Sequence, residues 1–297
     1  MAPDWLWAAF TIVGATAQTF RNAAQRSLTG SLGTVGATHV RFLFGLPFSL
    51  LALAGVAIFA GPIPSPNLAA IAWTGLGAVS QIGATAMMLA AMRERSFVVT
   101  IAYTKTEPVQ IALFAVVFLG EHVSAALAAA IVIATAGVVL LSWPSKSGTE
   151  VFSWRPAILG IVAGGLFALA AVAFRGGIVA VGAANFVPAA TLILAISLAI
   201  QTVLLTGWLL LRDPGVLRAI FAEWRRSLAA GFLGAFASQM WFLAFALQNP
   251  ARVRTLALVE ILIAGLVSRR LFAQTPGLRD IAGMALVVIG VVLLFTG

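Results

Sequence analysis

The chain has 297 residues, 61% of them hydrophobic and 9% charged. Soluble domains carry about 25% charged residues, so a soluble globule and a disordered chain are both excluded, and the length suits about ten apolar spans of some 20 residues. The formal charge of +9, from 18 Lys+Arg against 9 Asp+Glu, then marks the cytoplasmic face of a membrane rather than a nucleic-acid partner. With no cysteine, disulfides, thiolate nucleophiles and cysteine-bound metals are out.

Apolar runs between charges and prolines predict five spans in the first half: Trp5–Arg21, Phe42–Ala60, Leu68–Ala91, Phe97–Leu119 and Val123–Ser142. The second five are Ala157–Phe174, Phe186–Leu211, Leu228–Leu247, Ala251–Val267 and Ile281–Phe295. Pro66, Pro156, Pro250 and Pro276 fall at or just before span starts, where a missing N–H costs little. Trp5, Trp7, Trp73, Trp143, Trp154, Trp208 and Trp224 fall near span ends, as an aromatic belt requires. The first span lacks a basic leader, so it reads as a retained helix despite Ala15-Thr16-Ala17, which resembles a signal cleavage site.

The sequence repeats. A shift of 153 residues lays Glu107 on Glu260 and Gly137-Val138-Val139-Leu140-Leu141 on Gly290-Val291-Val292-Leu293-Leu294. With small gaps, Ser80-Gln81 meets Ser238-Gln239, and Phe20-Arg21 meets Phe174-Arg175. Five spans per copy is an odd number, so the second copy enters the membrane inverted. The expected fold is an all-α membrane protein of two inverted five-helix repeats, residues 1–146 and 147–297, with a site between them as in secondary transporters.

Connections after the odd-numbered spans carry 14 basic residues, among them Arg21, Arg26 and Arg41, against Arg175, Arg252 and Arg254 opposite. The bias places those loops in the cytoplasm and both termini outside.

Span 4 holds the densest chemistry, Tyr103-Thr104-Lys105-Thr106-Glu107-Pro108-Val109-Gln110. Lys105 lies about 15 Å along the helix from Arg95, deep where ionisable groups face a bundle interior or a wet cavity. Tyr103, Glu107, Gln110 and Phe114 share one helix face. Pro108 cannot donate to the Thr104 carbonyl, so a kink or hinge is expected there. Lys105, Glu107 and the repeat-matched Glu260 form a buried charge set with three open readings: a structural clamp, direct substrate contact, or proton coupling. Gln81 and Gln239 either glue helices or line a cavity; Gln18, Asn22 and Gln25 lie on one side of span 1. Phe167, Phe174, Trp241, Phe242 and Phe245 are candidates for apolar walls, and Gly160-xxx-Gly164 is a close-packing signal. The candidate substrate cavity is thus Tyr103, Gln81, Lys105 and Gln239 with Phe167 and Trp241 as wall.

No phosphate-binding loop, metal-ligand cluster or filter-type glycine loop appears, and His39 and His122 lie near span ends. An enzyme, a cofactor and a metal are not expected.

Ten spans, a five-plus-five repeat and Glu107-Pro108 followed by Leu119-Gly120-Glu121-His122 resemble the EamA type of the drug/metabolite transporter superfamily. The Arg21-Asn22 region and Tyr103–Pro108 look most like YddG-type amino-acid exporters. The resemblance implies a monomeric exporter of aromatic and other neutral amino acids in the bacterial inner membrane, using one central cavity by alternating access. It also implies cytoplasmic termini, against the charge count. The second repeat departs from the pattern, with Glu260-Ile261 for Glu-Pro and Ala273-Gln274 for Gly-Glu. Other readings are a drug, nucleotide-sugar or metabolite carrier of this fold, and a membrane partner subunit that transports nothing alone.

Overall fold

The structure, a computed structural model, describes residues 3–94, 100, 103–119, 122–142, 154–259 and 278–296. Among these, all regular structure is helical. The helices of the first half are α1 (Leu6–Leu43), α2 (Gly45–Phe59), α3 (Leu68–Glu94), α4 (Glu107–Leu119) and α5 (Ala125–Ser142). Those of the second are α6 (Trp154–Val181), α7 (Phe186–Arg212), the short α8 (Pro214–Ala222), α9 (Trp224–Leu247), α10 (Pro250–Leu256) and α11 (Leu278–Thr296). Glu260, Ile261, Ala273 and Gln274 lie outside the described residues, as do Arg95, Gly120, Glu121, Trp143, Lys146, Arg269, Arg270 and Pro276.

Among the described residues, five helical stretches are long and apolar enough to cross a membrane: Leu6–Phe59, Leu68–Glu94, Trp154–Val181, Phe186–Arg212 and Trp224–Leu247. Their outer faces expose Leu51, Phe59, Leu68, Val203 and Leu211, a spread of bare apolar side chains that a soluble monomer avoids and lipid accommodates. The fold is that of an all-α membrane protein. Trp5, Trp154, Trp208 and Trp224 are exposed, whereas Trp7 packs in the core and does not belong to a belt.

Helix starts follow local sequence. Asn67, Ser124, Asn185 and Asn249 precede α3, α5, α7 and α10, and each side-chain oxygen accepts a backbone N–H of the first turn. Pro250 takes the first position of α10, where no N–H is needed. Two of these caps also tie the molecule together. Asn67 Nδ2 donates to Ala180 O at 2.6 Å, and Asn185 Nδ2 donates to Ala60 O at 3.0 Å, satisfying carbonyls at the ends of α6 and α2.

The first span differs from expectation. Helical structure does not stop at Arg21 but runs to Leu43, broken only at Gly33, whose φ of 66° glycine alone adopts readily. Gln25 bridges the break, its Nε2 donating to Ala37 O at 3.0 Å. Arg21 and Arg41, expected in a loop, are therefore inside helices and 1% and 2% exposed. Their charge hid the helix from an apolar-run reading. Arg254 likewise is not a loop charge but sits buried in α10. Arg26, Arg175 and Arg252, also counted as loop charges, lie within α1, α6 and α10.

Packing joins the two halves directly: α1 lies along α9, α3 along α6, and α5 along α11. Glycines set these approaches. A Cβ at Gly137 would stand 2.7 Å from Gly283 O, one at Gly290 2.6 Å from Ala134 Cβ, and one at Gly77 2.6 Å from the Phe174 ring. With no hydrophobic drive between helices in lipid, such close van der Waals packing is what holds a bundle.

Candidate functional site

Two helices of the second half present matching stripes. Phe167, Ala170, Ala171 and Phe174 on α6, and Ser238, Trp241, Phe242 and Phe245 on α9, each follow an i, i+3, i+4, i+7 spacing that lines one helix face. The stripes meet around a cavity of about 320 Å³, closed by Gln18 and Arg41 of α1, Gln81 of α3 and Arg254 of α10. That figure counts open solvent as well; the room left inside this closed arrangement is about 10 Å³, enough for a single water molecule. The wall is tight: the Phe174 and Phe242 ring centroids are 4.6 Å apart, and Trp241 stacks on Phe245 at 6.1 Å.

The polar side is built from arginine and amide. Arg41 donates from its Nη1 to Thr85 Oγ1 (3.1 Å) and from its Nη2 to Ser238 Oγ (3.3 Å), so the guanidinium spans α3 and α9. Its buried Nε has no hydrogen-bond partner among the described residues. Arg254 lies 4.0 Å above the Trp241 ring, a cation–π contact strengthened by desolvation. Its Nε is 3.2 Å from Glu107 Oε1. Neither atom has an aligned hydrogen bond, so charge rather than geometry holds this pair. Arg21 sits beside the cavity, donating twice to Asn22 Oδ1. Trp241 Nε1 donates to Gln18 Oε1 at 3.0 Å, and Gln201 Nε2 of α7 donates to Gln81 Oε1 at 2.9 Å.

Of the residues expected from sequence, Gln81, Phe167 and Trp241 line this cavity; Tyr103, Lys105 and Gln239 do not. Tyr103 packs on α6, where a Cβ at Gly160 would stand 2.5 Å from its own Cβ. Lys105 occupies the turn before α4, buried beside Glu107 and Arg254. Helical structure pauses at 105–106 and resumes at Glu107, leaving Pro108 in the first turn of α4. Gln239 points at α7 and donates to Thr191 Oγ1 at 2.9 Å. Glu260 lies outside the described residues. His39 is buried close to the end of α1, hydrogen-bonded to Thr206 across 3.0 Å.

Arg41, Arg254, Gln18 and Ser238 were missed as cavity residues. Arginine in a membrane sequence reads first as a loop marker. Spacing could have found Ser238, which shares the stripe of Trp241. No pattern in the sequence brings Arg41 to Ser238, 197 positions away.

Together, fold and site define a helical membrane protein enclosing a small cavity with one cationic and one aromatic wall. No family model and no curated protein matches the chain. Solved structures do match; one, described only as a protein crystal structure, aligns over 96% of this chain and 95% of its own at a TM-score of 0.70 and 18% identity. At that identity the likeness speaks for the fold alone.

Proposed function

We propose that the chain is a secondary carrier that exports small amphipathic metabolites bearing a carboxylate, through the cavity between α1, α3, α6 and α9. Aromatic and other neutral amino acids are the class that the resemblance to EamA-type exporters names. The observation that carries the reading is the cavity itself, with arginine and amide on one side and stacked aromatics on the other. A few directed polar groups plus an apolar wall is how small-molecule sites fix an amphipathic ligand. The buried arginines oppose a cationic drug as substrate. An exchange of partners between the halves (α1 with α9, α3 with α6) supports two inverted five-helix repeats over ten spans, with the substrate at their interface. Alternating access then rocks one set of helices against the other, and no cofactor or catalytic step is involved.

The proposed setting is the bacterial inner membrane, with a monomer as the working unit and the arginine-rich connections in the cytoplasm. In intact cells, a cysteine at Ser65 should react with an impermeant thiol reagent and one at Ala222 should be protected; the reverse pattern inverts the topology. Transport is tested by counterflow of labelled amino acids in proteoliposomes containing the purified chain alone. Saturable flux supports a carrier, and none for any solute points to a subunit that needs a partner.

A further inference from the structure

The hydrogen-bonding character of the cavity is lopsided. Each side-chain oxygen that its amides and serine direct inward already takes a donor from the protein: Gln18 Oε1 from Trp241, Gln81 Oε1 from Gln201, and Ser238 Oγ from Arg41. These assignments are fixed by chemistry, because indole and guanidinium can only donate and Gln201 Nε2 also donates to Ala78 O. Each of these oxygens keeps one lone pair, whereas the groups wholly unengaged by the protein are donors. The amide N–H groups of Gln18 and Gln81 donate to no other protein atom among the described residues, and Arg41 Nε is buried without a partner. No acidic side chain lines the cavity among the described residues; Glu107 stands behind Arg254 and is already in contact with it. Arg41 is also within electrostatic reach of both Arg21 and Arg254.

An amino acid brings an ammonium group as well as a carboxylate. The carboxylate fits such a surface, since arginine and amide N–H groups bind it with charge-assisted hydrogen bonds. The ammonium needs an anion or several acceptors, and the lining offers it single lone pairs beside two guanidinium groups that repel it.

We infer that the substrate is carried as a net organic anion, an aromatic or branched monocarboxylate with no ammonium group, its carboxylate at Arg41 and its apolar body against Phe174 and Phe242. The inference rests on the carrier reading above and narrows it from zwitterion to anion.

Three probes of matched shape test it: phenylpyruvate, L-phenylalanine and phenethylamine. Counterflow is measured in proteoliposomes containing the full chain. Phenylpyruvate should exchange at least tenfold faster than L-phenylalanine at equal concentration, and phenethylamine should not exchange. Equal or faster exchange of L-phenylalanine would overturn the inference and leave the carrier standing. No exchange of any of the three sinks both. The variant Gln81→Glu adds a carboxylate acceptor to the cavity that Arg41 lines and should bring the phenylpyruvate to L-phenylalanine ratio down toward one. Because the ratio is read within one preparation, loss of folded protein cannot mimic that shift. An unchanged ratio in a protein of normal thermal stability would show that the anion binds elsewhere and would also refute the assignment.

Discussion

The two halves of the chain give the cavity opposite walls. The first half supplies Gln18, Arg41 and Gln81, all polar; the second supplies two apolar stripes of phenylalanine, tryptophan and alanine from α6 and α9, in which Ser238 is the one polar member, and adds Arg254. Similar segments have thus been put to different use. Ser80-Gln81 and Ser238-Gln239 match in sequence, yet Gln81 faces the cavity in the first half and Ser238 in the second, while Gln239 turns to Thr191. One residue of rotation around a helix is about 100°, enough to exchange a cavity ligand for a helix–helix bond. Two segments alike in sequence can therefore contribute to a one-sided cavity.

The largest effect is expected where the halves join by charge. Glu107 of α4 and Arg254 of α10 are both buried and in contact at 3.2 Å. Glu107→Gln alone strands a buried cation and should cost about 3–5 kcal/mol, read as a lowered unfolding midpoint in nanodiscs. Glu107→Gln combined with Arg254→Gln should regain a good part of that loss. If the double variant is no more stable than the single ones, the two residues are not a pair. Combining Glu107→Gln with Lys105→Met then tests whether the lysine is the true partner.

Next comes the contact between α3 and α6. A Cβ at Gly77 would lie 2.6 Å from the Phe174 ring, so Gly77→Ala must push the aromatic wall toward the polar one. Overpacking of this kind costs about 1–3 kcal/mol. Flux of bulky substrates should fall more than that of small ones. Equal losses for both would mean that Phe174 gives way outside the cavity.

The kink in α1 should matter less. Gly33 has a φ of 66°, and an L side chain in the left-handed region costs roughly 1–2 kcal/mol. A Cβ there meets nothing within 4 Å, so Gly33→Ala isolates backbone strain from packing. Unchanged stability would show that the break tolerates another conformation.

Sequence made the fold more legible than the site. Apolar runs located α2, α3, α7 and α9 to within a few residues because lipid-facing helices are apolar over most of their surface. They failed at α1, where Arg21 and Arg41 interrupt the run while facing inward. The stripe on α6 could be read because helical periodicity is local. The pairing of Glu107 with Arg254 could not, since it joins residues 147 apart and depends on how α10 packs on α4. Tyr103 and Gln110 show the same limit. They share a helix face in sequence, and in the structure that face is covered by Gly160 and Gly165 of α6 rather than open to the cavity.

The smallest effect tests the comparison most directly. Gln239→Ala removes one bond, to Thr191 Oγ1, from outside the cavity. Interhelical hydrogen bonds in membranes average about 0.6 kcal/mol, so the unfolding midpoint should move little and flux hardly at all. Gln81→Ala removes a bond of similar length, from Gln201 Nε2 at 2.9 Å, and should cost comparable stability. Its side chain, however, also lines the cavity with a free amide N–H, so substrate affinity should weaken several-fold while the protein remains folded. The two variants thus share a structural cost and differ in function only if the halves contribute unequally to binding. Equal flux in both, at matched stability, would make the amides interchangeable glue and move the polar wall onto the arginines alone.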